Sequence, residues 1–185
     1  MRVKTMMAAL ASLLLLAAIG CSSNKANTPD VKTQVSKALD NAGYKDLKID
    51  VNNDKELVTL TGGVKSEDDK NRAGELAKNA AEGYVISNEI GIRPEGVERD
   101  ARKIDSNVDD AIKKDFKAVI IAHRLEKQHI RFDAKNGVLT LKGDVDTSDQ
   151  RQQVEKLAAS VPNVQQVVNE LDVKVGKRRR SGSGI

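Results

Sequence analysis

The stretch LTGGVKSEDDKNRAGELA, residues 60–77, recurs without a gap as LKGDVDTSDQRQQVEKLA, residues 141–158. The two copies lie 81 residues apart and share a glycine, a valine, an aspartate and a Leu-Ala pair at matching positions. An apolar pattern alone could recur by chance, but helix caps, turn glycines and apolar phases would not all recur at one offset. The chain therefore contains a duplicated domain.

Each copy predicts the same order of elements, α-β-β-α-β. A helical apolar stripe is followed by two runs with strand alternation, a second helix and a final strand. Ser66 and Thr147 are the predicted N-caps of the second helices, and Gln150 completes a capping box with Thr147. Asn136-Gly137 predicts a tight hairpin turn in the second copy. The predicted core pairs are Val31/Ile112, Val35/Phe116, Leu39/Ile120, Ile49/Ile130, Val51/Phe132, Val58/Leu139, Leu60/Leu141 and Ile90/Leu171.

The N-terminus has the features of an export signal. Arg2 and Lys4 precede an apolar run that is too short to span a bilayer stably. The following Ala18-Ile19-Gly20-Cys21 resembles a bacterial lipobox, and Cys21 is the only cysteine of the chain. This resemblance implies a signal peptide at residues 1–20, lipidation of Cys21 and a tether at residues 21–29. The alternative is an ordinary secretory signal with an incidental cysteine.

The repeated residues resemble BON domains. The resemblance rests on the Leu-x-Gly-x-Val strand ends at residues 60–64 and 141–145, the helix after each, and the third strands around Asn88 and Asn169. Two such units behind a lipobox are similar to dual-BON outer-membrane lipoproteins of the DolP type. The family implies an α+β fold class with two tandem BON domains, each a small three-stranded mixed sheet covered by two helices.

The resemblance and the composition together predict the domain boundaries. We expect BON domains at residues 30–93 and 105–175 and a flexible basic tail at residues 176–185. The segment at residues 94–104 is short and highly charged. It is therefore expected to be a linker that keeps the two domains close together.

No set of residues in the sequence points to catalysis, a metal or a cofactor. His123 falls on an apolar helical stripe and is interpreted as a core-edge histidine, and His129 has no partner at a metal-ligand spacing. Gly62 and Gly143 are interpreted as structural residues at a position where a side chain would clash. Asn88 and Asn169, in phase with inward apolar residues, are interpreted as hydrogen-bonded buried amides. The chain is therefore not expected to be an enzyme.

The two copies differ on the outer face of their first helix. In the second copy this face carries an isoleucine among cations, whereas the first copy is nearly neutral there. Cations around a protruding aliphatic side chain suit the headgroup region of an anionic bilayer. A solvated basic face is the alternative. DolP-type relatives bind anionic phospholipid through the second BON domain. This resemblance favours binding of the face to an anionic bilayer. The predicted lipid-binding residues are Lys113, Lys114, Lys117, Ile121 and Arg124.

The C-terminal tail is a second cationic element. It contains Lys177, Arg178, Arg179 and Arg180 in a segment too polar and glycine-rich to fold. In a cytoplasmic protein such a run would suggest nucleic-acid binding. Behind an export signal, phosphate-bearing lipids are the expected anions and nucleic acid is not an expected partner, while a solubilising tail is the alternative.

These features predict a non-enzymatic, lipid-anchored protein on the periplasmic side of the outer membrane. It would bind anionic phospholipids through its second BON domain and support outer-membrane integrity, with no cofactor and no metal. The alternative is a periplasmic protein-binding or osmotic and envelope-stress protection module, whose partners would be envelope proteins.

Overall fold

The computed structural model describes residues 30–126 and 128–174 of the 185-residue chain. The predicted signal peptide, the predicted lipidation site Cys21, the predicted tether and the tail cations from Lys177 to Arg180 all lie outside the described residues. The first domain contains α1 (Val31–Asn41), β1 (Lys48–Asn52), β2 (Leu57–Val64), α2 (Glu67–Ala80) and β3 (Val85–Ile92). The second contains α3 (Glu98–Ala122), β4 (His129–Lys135), β5 (Val138–Val145), α4 (Ser148–Ala159) and β6 (Gln166–Val173).

Each domain has one three-stranded mixed sheet. In the first, the strand order is β1-β2-β3, with β1 antiparallel and β3 parallel to the central β2. The second repeats this order as β4-β5-β6 with the same directions. The parallel pair is possible because α2 and α4 form the crossover connections that parallel strands require. The predicted α+β class and the element order are confirmed.

The two cores are built from equivalent residues, as the repeat predicted. Apolar side chains from both helices cover one face of each sheet, and burying them supplies most of the stability of domains of this size. In five of the eight predicted core pairs both residues are buried. In the other three pairs, Ile112 is buried, and the remaining residues are partly buried and pack against the cores, namely Val31, Ile49, Ile130, Val51 and Phe132. Two further equivalent pairs, Ala73/Val154 and Ala77/Ala158, complete the helix-to-sheet contact.

The predicted caps and turn are also present. The Ser66 hydroxyl accepts a hydrogen bond from the Asp69 N–H (3.1 Å), and Thr147 forms the full capping box with Gln150. Asn136 and Gly137 have φ values of 48° and 82°. Two successive positive φ values match the twist of a two-residue hairpin, so this turn joins β4 directly to β5.

Helix α3 is longer than the sequence interpretation implied. It runs for 25 residues without interruption, so most of the expected linker at residues 94–104 forms its first turns. Pro94 and Gly96 precede the helix, but neither proline nor glycine interrupts it. Near its start, Asp105 accepts a hydrogen bond from the Arg93 guanidinium at the end of β3. One helix therefore contacts the first domain and contributes to the core of the second.

The domains pack through the sheet faces that carry no helix. Leu57, Val138 and Val168 form a small apolar cluster between the sheets. Polar contacts surround it, including the ion pair of Lys55 with Asp172 at 2.7 Å. The interface is thus more polar than either core, as is usual between domains of one chain.

The second domain also covers the outer edge of β3. The side-chain amide of Gln166 donates to the Ile86 carbonyl (2.5 Å) and accepts from the Asn88 N–H (3.2 Å). The Asn136 amide donates to the Glu89 carbonyl at 2.7 Å. These contacts satisfy backbone groups that an exposed edge strand would offer to another chain.

Candidate lipid-binding surface

The surface proposed from the sequence lies on the C-terminal half of α3. The inward side of this helix is fixed by Ile112, Phe116 and Ile120, which are all buried. Phe116 contacts the Phe132 ring of β4 edge-to-face, with a centroid separation of 4.9 Å. The helix therefore cannot rotate about its axis without exposing this core, and its outward side is set by the same contacts.

Ile121 is on the outward side and is 55% exposed. It follows the buried Ile120, and successive helical residues are about 100° apart, so one isoleucine is inside and the next is outside. Lys117 and Lys114 precede Ile121 by one and two turns and are both exposed. Among the described residues, neither lysine takes part in an ion pair. We call Lys114, Lys117, Ile121 and Arg124 the α3 surface.

Arg124 lies in the turn that ends α3 and has an unusual backbone conformation. Its φ is 56°, its N–H donates to the Ile121 carbonyl (3.0 Å), and the next N–H donates to the Ile120 carbonyl (2.9 Å). This is a Schellman motif, in which the left-handed residue is usually glycine. The first domain has Gly43 at the equivalent position, with a φ of 92°. An arginine here costs roughly 1–2 kcal/mol of backbone strain.

Lys113 differs from the other predicted cations. Its ammonium lies 2.9 Å from Asp110 and 4.0 Å from Asp133 of β4, and its side chain is only partly exposed. The hydrogen bond to Asp110 is the main cause that raises the pKa of Lys113. Lys113 is therefore engaged within its own domain and is not part of the free cationic face.

Sequence reasoning missed the N-terminal continuation of this face. Lys103 precedes Ile121, and Arg99 precedes Lys117, by 18 residues, which is five helical turns, so each pair shares one side of α3. Ile104 is 61% exposed, but it lies about 100° around the helix from Lys103 and is therefore not on this side. These residues were interpreted as linker, although the absence of glycine and proline after Gly96 was a signal for helix.

The equivalent face of the first domain, on α1, lacks the combination of cations and an exposed isoleucine. Helix α1 is only 11 residues long, and Asp40 occupies the position of Ile121. The Ser36 hydroxyl, at the position of Lys117, donates to the Asp40 carboxylate (3.4 Å). The first domain therefore presents no apolar side chain among cations on this face.

The last described residue of the chain lies at the same end of the domain as the α3 surface. The Lys174 ammonium is 3.5 Å from Asp146, and Asp146 accepts from the Gln128 side chain (3.0 Å), shortly after α3 ends. The hydrogen bond from Gln128 is the main cause that lowers the pKa of Asp146, and Lys174 contributes. Lys174 therefore lies near the C-terminal end of α3.

Two glycines permit a close approach of the antiparallel strands. Gly143 has a φ of 112°, and a Cβ there would lie 1.9 Å from the His129 carbonyl oxygen of β4. Gly62 has a φ of 132°, and its added Cβ would meet the Leu47 side chain at 2.9 Å. Both glycines are structural, but only Gly143 lies against a backbone atom within 3 Å.

The two asparagines tie the third strand of each domain to its second helix. The Asn88 amide donates to the Lys70 carbonyl (2.9 Å), and the Asn169 amide donates to the equivalent Arg151 carbonyl (3.4 Å). The Asn169 side-chain Oδ1 also accepts from the Leu171 N–H, whereas the buried Asn88 Oδ1 has no hydrogen-bond partner among the described residues. The asparagines are thus only partly buried and, for Asn88, only partly hydrogen-bonded.

Neither histidine belongs to a metal-ligating cluster of described residues. His123 is exposed at the C-cap of α3, so its interpretation as a core-edge residue was wrong. The helix ends there, and the buried Leu125 occupies the next inward position instead. Within residues 30–126 and 128–174, no three His, Cys, Asp or Glu side chains are placed to hold a metal ion.

No helix in the described ranges combines the length and the apolar character needed to cross a bilayer. The profile of the family described as BON domain matches residues 27–94 and 108–175. Osmotically-inducible protein Y of Escherichia coli (strain K12) is 28% identical over 146 residues, which are 78% of this chain and 71% of that protein.

Two solved structures with weak similarity are of CdsD, a structural protein of the type III secretion system of Chlamydia trachomatis. One is 12% identical with a TM-score of 0.33 and covers 76% of this chain and 90% of its own. The other, the CdsD C-terminal domain, is 11% identical with a TM-score of 0.32 and covers 80% and 99%. At these TM-scores the likeness supports no conclusion about this chain.

Proposed function

Because the chain belongs to the BON-domain family and contains two BON domains in tandem, we propose a binding function for it. It is a non-enzymatic envelope lipoprotein, anchored through Cys21 to the outer membrane. It binds anionic phospholipid through the α3 surface and supports outer-membrane integrity. The observation that carries this proposal is the exposed Ile121 between cations that form no ion pair with any described residue, on a face that is nearly neutral in the first domain.

The chemistry of the α3 surface matches the headgroup region of an anionic bilayer. Each basic residue near such a membrane contributes roughly 1 kcal/mol, and burying Ile121 in the acyl boundary adds about 1.5–3 kcal/mol. Arg99 and Lys103 extend the contact along α3, whose 25 residues span about 37 Å. A lipid anchor raises the local concentration of the domain at the membrane, so a weak intrinsic affinity suffices.

The strain at Arg124 supports the same proposal. A glycine would be favoured at this position for stability, and the first domain has one. Strained backbone positions are maintained where the side chain has a role that offsets the cost. A cation beside Ile121 has such a role at a phosphate-rich surface.

Vesicle sedimentation tests the proposal. The protein is residues 21–175 with Cys21→Ser, so that neither the lipid anchor nor the basic tail contributes. Phosphatidylglycerol vesicles are expected to sediment it in a salt-sensitive manner, and phosphatidylcholine vesicles are not. Lys114→Glu with Lys117→Glu removes about 2 kcal/mol of attraction, so the affinity falls at least about thirtyfold. Ile121→Asp removes about 1.5–3 kcal/mol, which is about 10–150-fold.

A matched control is available in the first domain. Lys32→Glu with Lys37→Glu changes the net charge by the same amount on the exposed face of α1. This variant is expected to bind almost as the parent protein does. Equal recovery in the supernatant with both lipids, or equal weakening by both double variants, would count against a lipid-binding α3 surface.

Replacing Arg124 with Gly is expected to change stability and binding in opposite directions. Relief of about 1–2 kcal/mol of strain exceeds the extra chain entropy of glycine, about 0.5–1 kcal/mol, so the free energy of unfolding rises. Loss of one cation weakens phosphatidylglycerol binding about fivefold. Urea unfolding and sedimentation measure the two effects. Gly43→Arg is the reciprocal control, expected to lower stability without creating lipid binding, and unchanged binding by Arg124→Gly would exclude a role for this arginine.

The second candidate function is protein binding in osmotic or envelope stress. It is favoured by the similarity to Osmotically-inducible protein Y, which covers both domains. In that case α3 would be a solvated basic face, and the chain would act in the periplasm on envelope proteins. The sedimentation experiment separates the two functions, because only the first requires selective binding to anionic vesicles.

A further inference from the structure

A cavity of about 280 Å³ lies at the junction of the two domains. Its walls are the end of β3, the N-terminal half of α3 and two turns of the second domain, at Asn136-Gly137 and Asn163-Val164. Gly91 contributes backbone to one wall, and the Arg93 guanidinium occupies the space that a side chain at Gly91 would take. The volume is just below the range of about 300–1,000 Å³ typical of small-molecule sites, so only a small ligand would fit.

The cavity contains a buried cation. Lys70 is 6% exposed, and its ammonium donates to the Asn136 carbonyl (3.1 Å) and to the Gln165 side-chain oxygen (2.9 Å). An ammonium has three donors, so these two bonds do not use its full capacity. Burial lowers the pKa of Lys70, and Glu67, Asp105 and Asp109 oppose this effect. In the described part of the chain, Lys70 takes part in no ion pair.

The cavity also contains a buried anion. Asp109 is 8% exposed, and its two carboxylate oxygens accept from the Asn136 N–H (2.9 Å) and the Gly137 N–H (3.1 Å). A carboxylate can accept about four hydrogen bonds, so two sites remain. The nearby Asp105 is already neutralised by Arg93. Lys70 and Asp109 are the only buried charged residues within the described ranges, and they line the same cavity without pairing.

We propose that this interdomain cavity binds a small zwitterion with a primary or secondary ammonium, such as a free amino acid. The ligand carboxylate would lie at Lys70 and the ligand ammonium at Asp109. Two opposite buried charges that are not paired cost several kcal/mol, and a zwitterion neutralises both without adding net charge. The described lining contains no aromatic side chain, so a quaternary ammonium, which favours aromatic rings, fits less well.

Titration with glycine and L-alanine tests this site. The protein is residues 21–185 with Cys21→Ser, and ¹⁵N NMR spectra monitor binding at each addition. The amide signals of Gly91 and Gly137 are expected to shift saturably at millimolar concentrations. Acetate and methylammonium, each with only one of the two charges, are expected to bind at least tenfold more weakly. Sucrose is the control for osmolytes that act by exclusion from the protein surface, and it should give no saturable shift.

Two variants locate the site. Lys70→Met is expected to weaken glycine binding at least tenfold, whereas Arg151→Met, at the equivalent exposed position of the second domain, leaves it unchanged. Val164→Phe fills the cavity while keeping both charges, and it should also abolish the shifts. The amide spectrum of each variant shows that the fold is retained. Absence of saturable shifts in the parent protein, equal binding of glycine and acetate, or full binding by Val164→Phe would overturn the proposal and leave a water-filled cavity.

Discussion

Gly143→Ala is expected to lower the free energy of unfolding by more than about 3 kcal/mol. At a φ of 112° an L-residue is strained, and the new Cβ would lie 1.9 Å from the His129 carbonyl oxygen. A backbone oxygen cannot move aside as the end of a side chain can, so β4 must shift away from β5. Core packing around Phe132, on β4, would then also be lost.

The duplicated fold offers a matched variant for this prediction. Gly62→Ala has a similar backbone conformation, but its closest contact is the flexible end of Leu47. Its expected loss is about 1–3 kcal/mol, mainly from backbone strain. Gly83→Ala, with a φ of 86° and no atom within 4 Å of the added Cβ, measures strain alone. Urea unfolding followed by circular dichroism compares the three, and equal losses at Gly62 and Gly143 would show that the close contact has no energetic effect.

Phe116→Ala is expected to destabilise the second domain by about 3–5 kcal/mol. The ring is fully buried and contacts Phe132 edge-to-face, so truncation leaves a cavity and removes this aromatic contact. The same helix carries the α3 surface on its other side. Binding to phosphatidylglycerol vesicles should therefore weaken together with stability, although Phe116 itself does not reach the membrane.

Phe116→Leu is the control for this prediction. It keeps an apolar side chain of intermediate volume, so the loss of stability is smaller and vesicle binding is retained. Thermal unfolding and sedimentation on the same samples provide the measurements. If Phe116→Ala unfolded within about 1 kcal/mol of the parent protein, the helix would not be held by this core contact.

The repeat was sufficient to predict the architecture. Equivalent apolar pairs such as Leu60/Leu141, together with the Ser66 and Thr147 caps, define both the elements and their inward faces. These signals are local, because an apolar phase or a cap depends on residues within one or two turns. The same reasoning correctly placed the Asn136-Gly137 turn, whose conformation follows from its two residues.

The candidate lipid-binding surface could be predicted only in part. The helical phase alone places Ile121 outward and puts Asp110 one turn before Lys113. It cannot show the contact of Lys113 with Asp133, since Asp133 comes from a strand 20 residues later. His123 was misplaced for a related reason. The helical stripe extrapolates past Ala122, whereas the helix ends in a Schellman motif around Arg124.

By itself, the sequence determined the duplicated α-β-β-α-β domains, their cores and the asymmetry between their outer helical faces. Each of these depends on periodicity and on short-range caps and turns. Only the tertiary structure decided that Gln166 covers the edge of β3, that α3 contacts both domains, and that Lys70 and Asp109 meet in one cavity. These features require residues 12 to 80 positions apart to come together, and pairings over such separations leave no periodic trace in a single sequence.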